Sequence, residues 1–133
     1  MSYNIWAILV AAVANNVIGA LWYGKSFFGR TWMREVGLKE SDMPTKFPVK
    51  PFAAAIVASL VLGVALAWAN AAAGSASLLD GVVVGLIVGI GMGAAITAPH
   101  YAFAGRSLKL FLIDQGHSIL VVVVMSAIIG LWR

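Results

Sequence analysis

Four stretches of this chain are each long and apolar enough to cross a bilayer, and that leaves it few ways to fold. A transmembrane helix takes about 20 mostly apolar residues to cross roughly 30 Å of hydrocarbon. The stretches run from about Ile5 to Tyr23, Pro51 to Ala73, Leu78 to Phe103 and Leu108 to Trp132. No water reaches the backbone at that depth, so each segment must satisfy its own N–H and C=O groups as a helix. The expected fold is all-α: an integral membrane four-helix bundle forming a single four-span domain over residues 1–133. Composition supports it, with 62% hydrophobic and 11% charged residues. Soluble domains run at about 45–50% apolar and about 25% charged. A chain this apolar could not cover its own core in water.

Local signals place the helix ends. Pro51 suits a first turn, where its missing N–H costs nothing. Ser77 with Asp80 three residues on resembles a capping box for the third span, and Ser107 is an N-cap candidate for the fourth. The basic residues follow the first apolar stretch instead of preceding it, which predicts a retained helix and not a cleaved leader.

Basic residues also set the orientation. Lys25, Arg30, Arg34, Lys39, Lys46 and Lys50 fall in the first connection, and Arg106 and Lys109 in the third. Those connections share a side, which leaves only Arg133 of the nine basic residues on the other. The positive-inside rule makes the first side cytoplasmic and the topology N-out/C-out. Trp6, Trp68 and Trp132 would then mark the outer interface, and Trp22 and Trp32 the inner one. Within the first connection, Phe28, Trp32, Met33 and Val36 lie at helical spacing opposite Arg30 and Arg34. This predicts a short cytoplasmic interfacial helix in the headgroup layer. Lys39 to Pro51, with three prolines, reads as an extended linker.

Two motif blocks carry a family resemblance. The first is Gly19-Ala-Leu-Trp22-Tyr23-Gly24, followed by Phe27-Phe28-Gly29 and Trp32. The second is Leu110-Phe111-Leu112-Ile113-Asp114-Gln115-Gly116-His117, followed by Val124-Met125 and Gly130-Leu131-Trp132. Together they resemble the bacterial membrane family catalogued as domain of unknown function 1761. The resemblance implies a four-helix protein of the bacterial inner membrane. It supplies no activity, cofactor or site residue.

One nucleotide-binding pattern is set aside. Gly19-x-x-x-x-Gly24-Lys25-Ser26 spells a phosphate loop, which needs a preceding strand and free backbone N–H groups. Here Ala20 to Tyr23 finish an apolar helix. The formal net charge of +4 reports topology and lipid contact, with no basic patch of nucleic-acid type beside it. The absence of cysteine excludes disulfides and thiolate metal sites.

Two further features carry the functional expectations. Gly81, Gly85, Gly89 and Gly93 repeat at four-residue intervals in the third span, which lets another backbone approach closely. A matching stripe in the second span, Ser59, Gly63, Ala67 and Ala71, predicts packing of those two helices; a homo-oligomer interface is the other reading. Polar residues inside spans are expensive and are functional candidates by default. Asn16 shares a face with Ala12, Gly19 and Tyr23. Asp114 and His117 share a face near the start of the fourth span, level with His100 and Tyr101. A polar intramembrane cluster of Asn16, Tyr23, His100, Asp114 and His117 follows. Its chemistry stays open between interhelical hydrogen bonding, proton or substrate handling, and a metal held by His100, Asp114 and His117. Arg106 or Lys109 are candidate partners for Asp114.

The resulting expectation is an oligomeric transporter or channel in contact with membrane lipid. The alternative is a structural or ligand- or metal-binding membrane protein without transport. No hydrolase-like arrangement of side chains occurs, and the extramembrane sequence is too short for an enzyme domain.

Overall fold

The computed structural model describes residues 3–132, so Arg133 lies outside the described residues. Five helices carry the fold: α1 (Ile5–Trp22), α2 (Gly29–Val36), α3 (Val49–Ala72), α4 (Leu78–Phe103) and α5 (Leu108–Leu131). No strand occurs among the described residues. All but α2 are long and apolar enough to cross a membrane, as the sequence predicts. A single turn of 3₁₀-helix, Glu40–Asp42, interrupts the linker between α2 and α3.

The caps form at the expected places. Ser77 Oγ accepts from the Asp80 N–H at 3.1 Å, and the Asp80 carboxylate accepts from the Ala76 N–H, one residue earlier than a regular capping box. Ser107 Oγ accepts from the Leu110 N–H. Asn4 caps α1 through the Ala7 N–H and donates to the Trp132 carbonyl, which ties the two ends of the chain together.

The central helix is α5, packed by α1, α3 and α4. Ala7, Ile8, Ala11, Leu66, Ala67, Val121, Val122, Met125 and Ile129 form the buried core. Large apolar side chains such as Trp6, Val13, Val61, Ile87 and Leu112 point outward all around the bundle. Water would not tolerate so continuous an apolar exterior, whereas hydrocarbon does.

The glycine stripe packs on a different helix from the one expected. A Cβ on Gly85 would lie 2.7 Å from the Val123 Cα, and one on Gly81 would overlap the Ser126 carbonyl oxygen. Both neighbours belong to α5, not α3. The small stripe of α3 faces α1 instead: a Cβ on Gly63 would lie 2.9 Å from Ile8 Cγ2. Spacing creates a smooth face but does not name its partner, and α5 offers the small Ser126 and Ala127 at that level. Gly93 leaves the stripe because α4 is π-helical over Ile87–Ala94. That i→i+5 ladder winds more residues into each turn, so the four-residue repeat no longer stacks on one line.

Candidate functional site

The site is built where α1 ends and the chain turns back. The Phe28 N–H donates to the Trp22 carbonyl and the Gly29 N–H to the Gly24 carbonyl, both at 3.0 Å. Only glycine fits at position 29, because a Cβ would lie 2.8 Å from the Gly24 oxygen and closer still to that of Tyr23. The turn therefore holds α2 hard against the end of α1. Trp22 Nε1 donates to the Ile113 carbonyl at 3.1 Å, pinning α1 to α5, and the missing side chain of Gly116 leaves room for the indole. A hydrogen bond from Ser107 Oγ to the Glu35 carboxylate ties α2 to the α4–α5 connection.

Two phenols converge on Asp114 in this frame. Tyr23 donates to one carboxylate oxygen at 2.8 Å and Tyr101 to the other at 2.5 Å. Both oxygens accept, which suits an ionised carboxylate. Neither Arg106 nor Lys109 pairs with it: the ion pair among the described residues is Lys25–Glu40, at 3.3 Å. His117 lies one turn further along α5, its ring 5.0 Å from that of Tyr23. Its Nε2 is buried and has no hydrogen-bond partner among the described residues, and a Cβ on Gly19 would lie 3.5 Å from it.

Asp114 and Tyr23 form part of the wall of a cavity of about 920 Å³, whose other side is made by Trp32, Met33 and Met43. Trp32 stands edge-on to Tyr23 at 5.8 Å between ring centroids. Lys25 and Glu40, joined by their ion pair, lie along the same wall. The amphipathic helix expected at the membrane surface also walls the cavity. Trp32 and Met33 face the cavity while Arg30 and Arg34 stay exposed.

The polar cluster expected from the sequence is divided. Tyr23, Asp114 and His117 do come together, with Tyr101 added. Asn16 is two turns up α1, where it donates to Ser59 Oγ at 3.1 Å and to the Ala12 carbonyl. His100 is exposed. Neighbouring helical residues differ by about 100° in direction, so Tyr101 facing Asp114 turns His100 away. Among the described residues no three His, Asp or Glu side chains gather closely enough to hold a metal ion. The triad of His100, Asp114 and His117 is not assembled.

Further polar pairs went unread in the sequence. Asn70, 1% exposed, donates to Ser126 Oγ and to the Leu66 carbonyl at 2.9 Å, and Asn15 donates to the Met125 sulfur. The signal was available, since Asn70 and Ser126 interrupt apolar runs on α3 and α5.

The chain matches the sequence profile of a family described as a protein of unknown function, DUF1761, over residues 6–130. It belongs to that family. The DUF1761 match covers every membrane-length helix almost from end to end, with both motif blocks except the closing Leu131-Trp132. No curated protein and no solved structure matches the chain. The DUF1761 description assigns no activity, so the roles of Asp114, Tyr23 and Trp32 rest on geometry.

Proposed function

We propose that this DUF1761 chain is a multi-pass protein of the bacterial inner membrane that binds a small amphiphilic molecule in the cavity between α1, α2 and Asp114. One observation carries the reading. A cavity of about 920 Å³ sits at the basic end of the bundle, with methionine and aromatic walls, the Lys25–Glu40 ion pair and the Asp114 carboxylate. Ligand sites are concave, mostly apolar and hold about 300–1,000 Å³, with a few polar groups that fix orientation. The excess of Lys and Arg makes that end cytoplasmic. A ligand would reach the cavity from the inner membrane surface, where α2 lies.

Binding fits the geometry better than flux through one copy. Between the cavity and the opposite end the interior is filled by Ala11, Leu66 and Met125, each no more than 1% exposed. The polar pairs Asn16–Ser59 and Asn70–Ser126 bridge neighbouring helices, each side chain engaged by the other. Their role is interhelical hydrogen bonding, which averages about 0.6 kcal/mol per contact in measured membrane cases.

Photolabelling tests the proposal. Two ten-carbon probes with a diazirine on the tail, one an amine and one an alcohol, are activated in membranes holding the protein. Adducts of at least one probe should concentrate on Met33 and Met43, and Met33→Trp should reduce them by filling the space. Adducts of both probes spread evenly over the outward faces of α1, α3 and α4 would contradict it.

A further inference from the structure

Resting on that reading, we propose that the ligand is an amphiphilic organic cation whose ammonium group is received by Asp114 and the rings of Tyr23 and Trp32. The charges on the cavity wall are Lys25, Glu40 and Asp114. Lys25 and Glu40 neutralise each other, and what remains is one carboxylate without a counter-ion. The other seven Lys and Arg side chains of that end are exposed, and none forms an ion pair with Asp114. Two phenol donors spread the charge of Asp114 without cancelling it, and each carboxylate oxygen keeps a second lone pair for a further donor. Charge left uncompensated beside low-dielectric walls draws a cation.

The surroundings narrow the kind of cation. A divalent metal would favour several His, Asp or Glu ligands, and no three such side chains gather among the described residues. Tyr23 and Trp32, an edge-on pair of rings, instead line the cavity together with the carboxylate. Aromatic faces within about 6 Å attract ammonium groups, tryptophan most strongly. Met33 and Met43 supply a soft, adaptable wall for an apolar tail. A phospholipid fits less well, since its phosphate would sit beside Asp114 while Lys25 is already engaged by Glu40. The charge pattern therefore favours a free cationic amphiphile.

The test is a charge series of one shape. Decyltrimethylammonium, decanol and decyl sulfate are titrated onto the full chain in zwitterionic nanodiscs, with empty discs as the baseline. Attraction of this fixed cation to the carboxylate and the aromatic rings predicts that the ammonium binds about tenfold tighter than the alcohol, or better. Asp114→Asn should bring that ratio close to one while leaving alcohol binding in place. Trp32→Leu should weaken the ammonium more than Trp32→Phe does, which keeps a readout should Asp114→Asn fold poorly. Equal binding of all three amphiphiles above baseline would overturn the cation assignment and leave the cavity as a ligand site. No binding above empty discs by any of them would overturn both.

Discussion

Replacing Gly85 by alanine and, separately, Gly91 by alanine separates close helix packing from helix propensity. Both substitutions remove a helical glycine, and each gains roughly 0.5–1 kcal/mol from that alone. Only one of them meets a neighbour. The new Cβ at position 85 lies 2.7 Å from the Val123 Cα and 3.1 Å from the Val122 oxygen, whereas nothing lies within 4 Å at position 91. Carbon atoms rest about 3.5–4.0 Å apart, so α4 and α5 must separate by about 1 Å. The obstacle is backbone, so rotating a side chain does not relieve it. Overpacking of this kind costs about 1–3 kcal/mol. The propensity gain is common to both variants and cancels, so the difference between them is the overpacking cost. Reversible unfolding in mixed dodecyl maltoside and dodecyl sulfate micelles, followed by far-ultraviolet circular dichroism, measures it. Gly91→Ala should be as stable as the wild type or slightly more so, and Gly85→Ala clearly less. Equal stability of the two variants would refute the assigned α4–α5 contact.

Other substitutions give sharp outcomes as well. Gly29→Ala forces a Cβ onto the Tyr23 and Gly24 carbonyl oxygens and should release α2 from the end of α1, seen as faster tryptic cleavage after Arg30 and Arg34. Asn70→Leu removes the bridge to Ser126 and should destabilise the bundle by about 0.6–1.7 kcal/mol in the same micelle assay, from the average to the largest value measured for interhelical hydrogen bonds in a membrane protein. Ser126→Ala, which removes the other half of that bridge, should cost less when Asn70 is already leucine than when it is present.

The number of spans, their caps and the short amphipathic α2 were legible in the sequence because each is a local property. Hydrophobic length gave the spans, Ser77 and Ser107 the starts, and the alternation of Trp32 and Met33 with Arg30 and Arg34 the surface helix. Part of the site was legible too, since Tyr23, Asp114 and His117 stand out as polar groups near span ends. What the sequence could not supply is the pairing across helices. The stripe on α4 announces a close neighbour without choosing α5 over α3, and the π-helical stretch that drops Gly93 from it has no periodic signature. Asp114 is met by phenols where a basic partner was expected, and the rotation that brings Tyr101 inward carries His100 out. The cavity was illegible for the same reason: it forms only once the turn at Gly29 folds α2 back over Asp114.

Cysteine protection tests the central claim most directly, and the chain contains no cysteine of its own to interfere. Met33→Cys places a thiol on the cavity wall, and its rate of modification by a water-soluble thiosulfonate reports whether the cavity is occupied. Decyltrimethylammonium should slow that rate in the wild-type background and have little effect when Asp114→Asn is added. A rate indifferent to the amphiphile, or slowed equally with and without the Asp114 carboxylate, would contradict the assignment of Asp114 as the group that receives the ligand.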